Sequence, residues 1–458
     1  MRIEHSRAAI LSLFLTFSLI AIDPAAIAMT SPIQGKSCPK AGAKNTQNSV
    51  SYTCTKSNSK LMWVIDRKQN PKPVLPQQLQ LSSVIIAFTS KEGSQSVWTN
   101  ERKGEVINWT KTAMEWWNRV TVGKYLFPEL QTTAPYKSKV ATTCDPTVAG
   151  KDALTHFGIK NFSTKSRIIV FALDNKCNFA GVAEMGGSKI LINIAKLESF
   201  DWEQNDKANN SSAAIAHELG HTFGLQHSSA LDCSAITTAT KYSISKSCDL
   251  DTYGDNNDFM ATVGNLDCKS ENGKKIEMLS TTQRYLGLGQ GNPLSIDKAG
   301  SYTVNDFSSK QDGSLYYLIT EKGVLYIEFR SKYRSECIYR TSGSVNYFLD
   351  SGDKVNPDNL DGLFGALSQS GIEIRLVGND QYYPIAKNHS NDIGYFILSK
   401  KRENYFGNAD RESGNRITWV GNDALYEVDE SLPLPNTNFR LTVTSVTDSS
   451  ATFNIQAI

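Results

Sequence analysis

Of the six histidines in this 458-residue chain, three (His217, His221 and His227) fall within eleven residues. His217 and His221 are four apart, so on a helix they project from one face a turn apart. From there both imidazoles can reach a single Zn²⁺ at about 2.0–2.1 Å. A third ligand cannot come from the same straight helix in good tetrahedral geometry. Gly224 lies in between, and a glycine can take a positive φ, end the helix and turn the chain so that His227 approaches from another direction. Three neutral imidazoles leave one coordination position open for water, which is the arrangement of a catalytic zinc site and not of a closed structural one. Glu218 directly follows the first ligand and cannot easily bind the same ion. Its carboxylate can reach the water, accept its proton and pass it to a leaving amine. His156 and His389 have no such company and read as ordinary polar residues.

These side chains need a helix beneath them and a sheet beneath the helix. Asn209, Asn210, Ser211 and Ser212 supply N-cap candidates for a helix carrying His217 and His221. Before it come three apolar runs, Val84–Phe88, Ile168–Leu173 and Lys189–Ile194, with the composition of buried strands. From Glu105 to Val120, Val106, Trp109, Ala113, Trp116, Trp117 and Val120 recur at three- and four-residue intervals, which predicts an amphipathic helix. The expectation over about 80–292 is therefore an α/β unit, a twisted sheet with long helices. After about residue 293, short runs rich in Tyr, Val, Ile and Phe alternate with turn residues, among them Tyr302–Val304, Leu315–Thr320, Val324–Phe329, Ile372–Val377, Phe439–Val443 and Ala451–Ile455. That pattern predicts a β-rich region, most simply a β-sandwich.

The segment from His217 to His227 reads H-E-L-G-H-T-F-G-L-Q-H, and it resembles the zinc signature of the metzincin endopeptidases. Within them the chain is most similar to gametolysin-like peptidases. Phe179–Gly187 looks like the strand before the zinc helix, Tyr253–Met260 like the methionine turn, and Thr282–Gly289 like the helix that closes the catalytic domain. The resemblance implies a zincin-type catalytic domain, Zn²⁺ on His217, His221 and His227, Glu218 as general base, and Met260 as an apolar floor beneath the metal. Met278 lacks the Tyr-Gly-Asp lead-in, and Thr262 stands where some metzincins carry a tyrosine. No Pro-Arg-Cys-Gly segment precedes the domain, so latency through a cysteine switch finds no support. Asp249, Asp251, Asp255 and Asp258 match no calcium-loop spacing and read as a solvated acidic turn.

Arg2 and Arg7, the apolar run Ala8–Ile22 and the small residues Ala26-Ile27-Ala28 form a secretory signal over 1–28. The run is shorter than the roughly 20 residues of a spanning helix, so no membrane span is expected in the mature chain. All eight cysteines lie beyond the signal, which suits an oxidising compartment. Cys38 is expected to pair with Cys54, and Cys144 with Cys177, while Cys233, Cys248, Cys268 and Cys337 stay unassigned. Residues 29–75 form a small Cys-pinned module, a disulfide-pinned hairpin followed by the proline-rich linker Asn70–Pro76. The peptidase-like domain then spans 76–292 and the β-rich domain 293–458. Lys and Arg number 48 against 46 Asp and Glu, with no basic stripe, so nucleic acid is not an expected partner. The reading is a secreted zinc-dependent endopeptidase acting on protein or peptide substrates, whose β-domain contacts substrate, envelope or extracellular matrix. The alternative is a secreted binding or adhesion protein that keeps the zinc scaffold without catalysis.

Overall fold

A computed structural model of the protein describes residues 37–47, 50–57, 60–65, 81–121, 130–199, 207–233, 248–251, 258–261, 266, 279–307, 312–320, 323–331, 370–377, 395–399, 428–435 and 437–458. The expected signal peptide, proline-rich linker, Tyr253–Asn257, Thr262, Met278, Cys268, Cys337 and His389 lie outside them. The chain divides into two compact units, Met1–Pro71 and Lys72–Ile458.

In the first unit, β1 (Lys44–Gln47), β2 (Val50–Ser57) and β3 (Lys60–Ile65) form a three-stranded antiparallel sheet in sequence order, one strand more than the expected hairpin. Cys38 and Cys54 are joined by a disulfide, and Cys54 is buried. The Cys38 N–H donates to Leu61 O, so the short lead-in is tied to β3 as well as to β2. So small a sheet has little apolar core, and a covalent tie substitutes for it.

The second unit opens with β4 (Ser83–Lys91), α1 (Asn100–Val120), β5 (Leu130–Thr132), β6 (Tyr136–Ser138), α2 (Pro146–His156), β7 (Ser166–Ala172), β8 (Gly181–Ala183), β9 (Lys189–Asn193), α3 (Ile194–Ser199) and α4 (Lys207–Thr222). The sheet order is β5-β4-β7-β9-β8, with β6 also on β4. All pairings are parallel except β8 on β9, and β8 forms one edge. Val84, Ile86, Phe88, Ile169, Phe171, Ile190 and Ile192 face a core shared with α1 and α4. Ile85, Ala87, Ile168, Val170 and Leu191 face the other side, against Ala149 and Ala153 of α2. Burial on both faces explains why these strands are continuous apolar runs and not alternating ones.

Helix α1 begins five residues before the apolar periodicity does, because Thr99 caps it by accepting from Arg102 N. Helix α4 also begins early, at Lys207, so Asn209–Ser212 lie inside it and not at its cap. Asn, Ser and Gly are poor helix formers, costing together about 2–3 kcal/mol relative to alanine. Every residue from Ser211 to Thr222 is nevertheless buried. Burying Ile215 and Leu219 alone contributes roughly 1.5–3 kcal/mol each, so tertiary packing, not propensity, makes this segment helical.

The remaining elements are β10 (Ser228–Cys233), β11 (Cys248–Asp251), α5 (Thr281–Leu288), β12 (Asn292–Ser295), β13 (Gly300–Asn305), β14 (Asp312–Thr320), β15 (Gly323–Arg330), β16 (Gly371–Val377), β17 (Tyr395–Ser399), β18 (Ser431–Pro433), β19 (Phe439–Val446) and β20 (Ser450–Ala457). They form a seven-stranded sheet, β11-β10-β17-β16-β15-β14-β12, and a four-stranded sheet, β13-β20-β19-β18. Ile327, Phe329 and Ile374 of the larger sheet share one apolar core with Leu441, Val443, Phe453 and Ile455 of the smaller. The larger sheet draws strands from both sides of residue 292. Strand β10, which starts immediately after His227, pairs in parallel with β17. No helix among the described residues is long and apolar enough to cross a membrane.

Because Met1–Pro71 is a compact unit of its own, deletion of residues 29–70 should leave the unfolding midpoint of the larger unit and its metal stoichiometry unchanged. Differential scanning calorimetry and metal analysis check this, and loss of metal on deletion would contradict it. Disulfide mapping of the intact chain should join Cys38 to Cys54.

Candidate active site

Helix α4 delivers His217 and His221 from one face, their rings 4.7 Å apart between centroids. The helix then stops in a Schellman turn. Gly224 N donates to His221 O, Leu225 N donates to Gly220 O, and Gly224 has φ 88°, the left-handed conformation that glycine adopts without steric cost. The turn carries His227 back over the helix end. His221 Nε2 and His227 Nε2 are 3.0 Å apart, and one nitrogen from each of the three imidazoles lies within 4.8 Å of the others. Two ligands at 2.0–2.1 Å from one tetrahedral ion stand about 3.3 Å apart, so His221 and His227 are already near ligand spacing and all three nitrogens lie close enough to converge on one zinc ion.

The far side of each helical ring fixes its role. His221 Nδ1 lies 2.8 Å from Leu225 O, and His217 Nδ1 lies 3.3 Å from Phe259 O. A carbonyl only accepts, so each Nδ1 carries the proton and Nε2 keeps its lone pair for a metal. Burial, and then the neighbouring His221 and His227, hold His217 well below the usual imidazole range, which keeps it neutral.

Glu218 is 8% exposed, and its Oε2 is buried with no hydrogen-bond partner. Burial alone pushes its carboxyl up to about 8. An orphaned buried carboxylate oxygen on the residue after the first of three converging imidazoles is a group that a nearby cation would relieve, since an opposite charge within a few ångströms favours the ionised form. Strand β8 passes directly across this group. A Cβ on Gly181 would meet Glu218 Cγ at 2.6 Å and Oε1 at 2.8 Å, so only glycine lets the edge strand lie so close. The next glycines behave differently from expectation. Gly186 and Gly187 do not extend an open strand: Gly186 has φ 63° and donates to His221 O, and a Cβ on Gly187 would sit 2.3 Å from Glu184 Cβ. They make the turn that docks β8 onto the zinc helix. Cys177, just before β8, is bonded to Cys144, and Asn193 N donates to Ala180 O, so the chain entering this edge is tethered twice.

Met260 is fully buried beneath α4. A Cβ on Gly220 would approach Met260 Sδ to 2.7 Å and Trp117 Cζ2 to 3.0 Å, so Met260 occupies the space that Gly220 leaves empty. Met260 O accepts from Ser228 N, which ties the methionine segment to the residue after the third histidine. Asp258 does not belong to a solvated turn. It is fully buried, and its carboxylate accepts from Met260 N and Ser280 N, holding the segment below the histidines against the start of α5. Asp249 and Asp251 lie on β11, while Asp255 is outside the described residues. His156 stacks on Tyr136 at 4.5 Å on α2, an ordinary packing position.

Sequence reasoning missed Arg167. It is buried on β7, and its guanidinium donates to Thr222 Oγ1 and Thr222 O at the C-terminus of α4, where the helix dipole favours a cation. Burial lowers it only to about 10, so it stays charged. A lone arginine opening an apolar strand was the available signal.

Residues 118–272, about a third of the chain, match the family model of metallo-peptidase family M12, Reprolysin_5. The match supports a zinc-dependent peptidase over those residues. No curated protein matches the chain. Among solved structures, archaemetzincin from Methanopyrus kandleri is 19% identical over 38% of this chain and 85% of its own, with a TM-score of 0.22. Archaemetzincin from Archaeoglobus fulgidus is 15% identical over 34% and 83%, with a TM-score of 0.19. OgpA from Akkermansia muciniphila is 13% identical over 56% and 75%, with a TM-score of 0.25. Likenesses this low carry no argument about what this chain acts on.

Two effects compete in Gly220→Ala. Helix propensity favours alanine by about 1 kcal/mol, whereas pushing Met260 and Trp117 aside costs about 1–3 kcal/mol. Sterics should win, so the variant should melt below wild type by thermal denaturation. A rise in Tm would show that Met260 gives way freely.

Proposed function

We propose that the chain is a secreted, gametolysin-like zinc endopeptidase of the metzincin type, hydrolysing internal bonds of protein or peptide substrates with Glu218 as general base. The observation that carries this reading is the convergence of three imidazole nitrogens, with the orphaned, buried Oε2 of Glu218 on the residue that follows the first of them. A zinc ion held by His217, His221 and His227 would supply Lewis-acid polarisation of a water and of the scissile carbonyl. Glu218 would take the proton from the attacking water and hand it to the departing amine. Its burial keeps bulk water from competing for that proton. The β-rich region supports a sandwich-like assembly through the core its two sheets share, and the domain limits at 76–292 and 293–458 belong to the same proposal. So do the export signal over 1–28 and any contact of the β-region with envelope or extracellular matrix.

Among the described residues strand β8 is an edge of the catalytic sheet with no further strand paired to it, and it runs antiparallel to β9. Its outer N–H and C=O groups are available to an extended peptide, which would add as a further strand beside the histidines. Gly181 sets how near that peptide comes to Glu218. A complex with a peptidomimetic hydroxamate should show the inhibitor backbone paired to Ala180–Ala183. An inhibitor backbone lying away from these residues would refute the placement.

The division of labour between metal and base gives the central test. Glu218→Gln is nearly isosteric and should retain zinc, while peptide hydrolysis should fall at least 10²–10⁴-fold. His221→Ala should lose both zinc and activity. Zinc by atomic absorption, measured beside fluorogenic-peptide turnover, separates the two. Full activity in Glu218→Gln would remove the proposed base. A zinc-loaded wild type that cleaves nothing across a broad peptide set would leave a binding protein on a zinc scaffold.

A further inference from the structure

The seven-stranded sheet has two different buried faces. On β15 and β16, Leu325, Ile327, Phe329, Ile372, Ile374 and Leu376 point into the apolar core shared with the smaller sheet. The alternate residues Glu328, Arg330, Glu373 and Arg375 are just as buried, each at most 2% exposed. Arg375 Nε donates to Glu328 Oε1 at 2.7 Å and its Nη2 to Glu373 Oε2 at 2.8 Å, while Arg330 Nη1 donates to Glu373 Oε1 at 2.8 Å. This charged face also reaches the catalytic region. Arg375 Nη1 donates to Ser228 Oγ at 3.2 Å, and Glu328 Oε2 accepts from Thr282 N at 2.7 Å and Thr282 Oγ1 at 3.0 Å.

Ser228 is fully buried and directly follows His227. Its N–H donates to Met260 O, its side chain accepts from Arg375, and the backbone beyond it enters β10 of the same sheet. Thr282 lies in the first turn of α5, whose cap residue Ser280 donates its N–H to Asp258, beneath the histidines. The contacts therefore close a ring: His217 to Phe259, Met260 and Asp258, on to Ser280 and Thr282, across Glu328 and Arg375 to Ser228, and back to His227.

We propose that Arg375 is a positioning residue for the third zinc ligand, fixing His227 through Ser228, and that the C-terminal β-region is thereby a working part of the metal site. This rests on the zinc reading given above. The first turn after Gly224 sets the direction of His227, and the Arg375–Ser228 hydrogen bond sets where that segment ends. Without it, His227 would sample more positions than the one facing His221.

The test uses the full chain and reads the metal directly. Zinc dissociation constants from chelator competition, and the visible spectrum of the cobalt-substituted protein, are compared for wild type, Ser228→Ala, Arg375→Met and Ile374→Val. Ser228→Ala removes one hydroxyl and leaves the Arg375–Glu328–Glu373 contacts in place, so it keeps the test decisive if Arg375→Met does not fold. Ser228→Ala should weaken zinc by about tenfold or more and shift the cobalt bands, with Arg375→Met at least as severe. Ile374→Val should lower Tm while holding zinc and cobalt as wild type does, because it loosens packing on the opposite face. Zinc affinity and cobalt spectrum unchanged in Ser228→Ala would overturn the proposal while leaving the zinc site standing. Equal weakening in Ile374→Val would overturn it by showing general loosening. A wild type that binds no zinc would overturn the zinc reading and this proposal with it.

Discussion

An α-helix brings His217 and His221 to one point because residues four apart stack on one face, and nothing in that geometry can bring in His227. The third imidazole has to be delivered by chain that has left the helix, and chain outside a helix is held only by what it touches. Gly224 supplies the exit, with φ 88° and two hydrogen bonds closing the helix end. Arg167, on the sheet below, holds the last carbonyl of the same helix. Both devices act on the departure of the chain. Its arrival is governed by Ser228, the first residue of a strand belonging to a different sheet. The zinc helix, the segment around Met260 and the seven-stranded sheet are thus parts of one constraint.

The site is also shaped by side chains that are missing. Gly181 and Gly220 have no steric reason to be glycine in their own elements, and Gly220 sits in a helix where it costs about 1 kcal/mol against alanine. Each is explained by what lies opposite: Glu218 Cγ in one case, Met260 Sδ and Trp117 in the other. Trp117 also donates from its indole to Ala216 O on α4, and it meets Phe223 edge-on at 5.0 Å. The aromatic residues of α1 therefore pack against the zinc helix, while the edge strand packs against Glu218. Glu218 and the histidines are held by packing in a well-filled interior, where a displacement of a methylene is felt.

Much of this was legible in the sequence. The histidine spacing, the turn at Gly224 and the apolar runs of β4, β7 and β9 all declare themselves through local rules of period and turn chemistry. The cap Thr99 and the early start of α4 did not, because polar first turns leave no apolar trace. Asp258 misled for a related reason. Among the neighbouring acids Asp249, Asp251 and Asp255 it looked solvated, and only the tertiary structure shows two backbone N–H groups waiting for it. Gly186 and Gly187 looked like the end of the strand Phe179–Gly187 and form a turn, since a glycine pair serves either use and sequence alone does not say which.

The least legible feature was the polar face of β15 and β16. Alternation such as Leu325-Tyr326-Ile327-Glu328-Phe329-Arg330 ordinarily means one face in the core and one in water. Here the second face is buried against the catalytic region, and register makes matters worse by setting Glu328 directly opposite Glu373. Two like charges opposed across strands repel, and the pair is tolerated because Arg375 reaches both carboxylates and Arg330 reaches one. Such a cluster is not an economical source of stability, since apolar residues of similar volume often do as well or better. Removing one member, however, costs about 3–5 kcal/mol by leaving a buried charge unpaired. What a charge network offers that an apolar face does not is direction. A leucine at 375 could fill the space, but it could not donate to Ser228, and Ser228 is the point at which the sheet takes hold of the chain carrying His227.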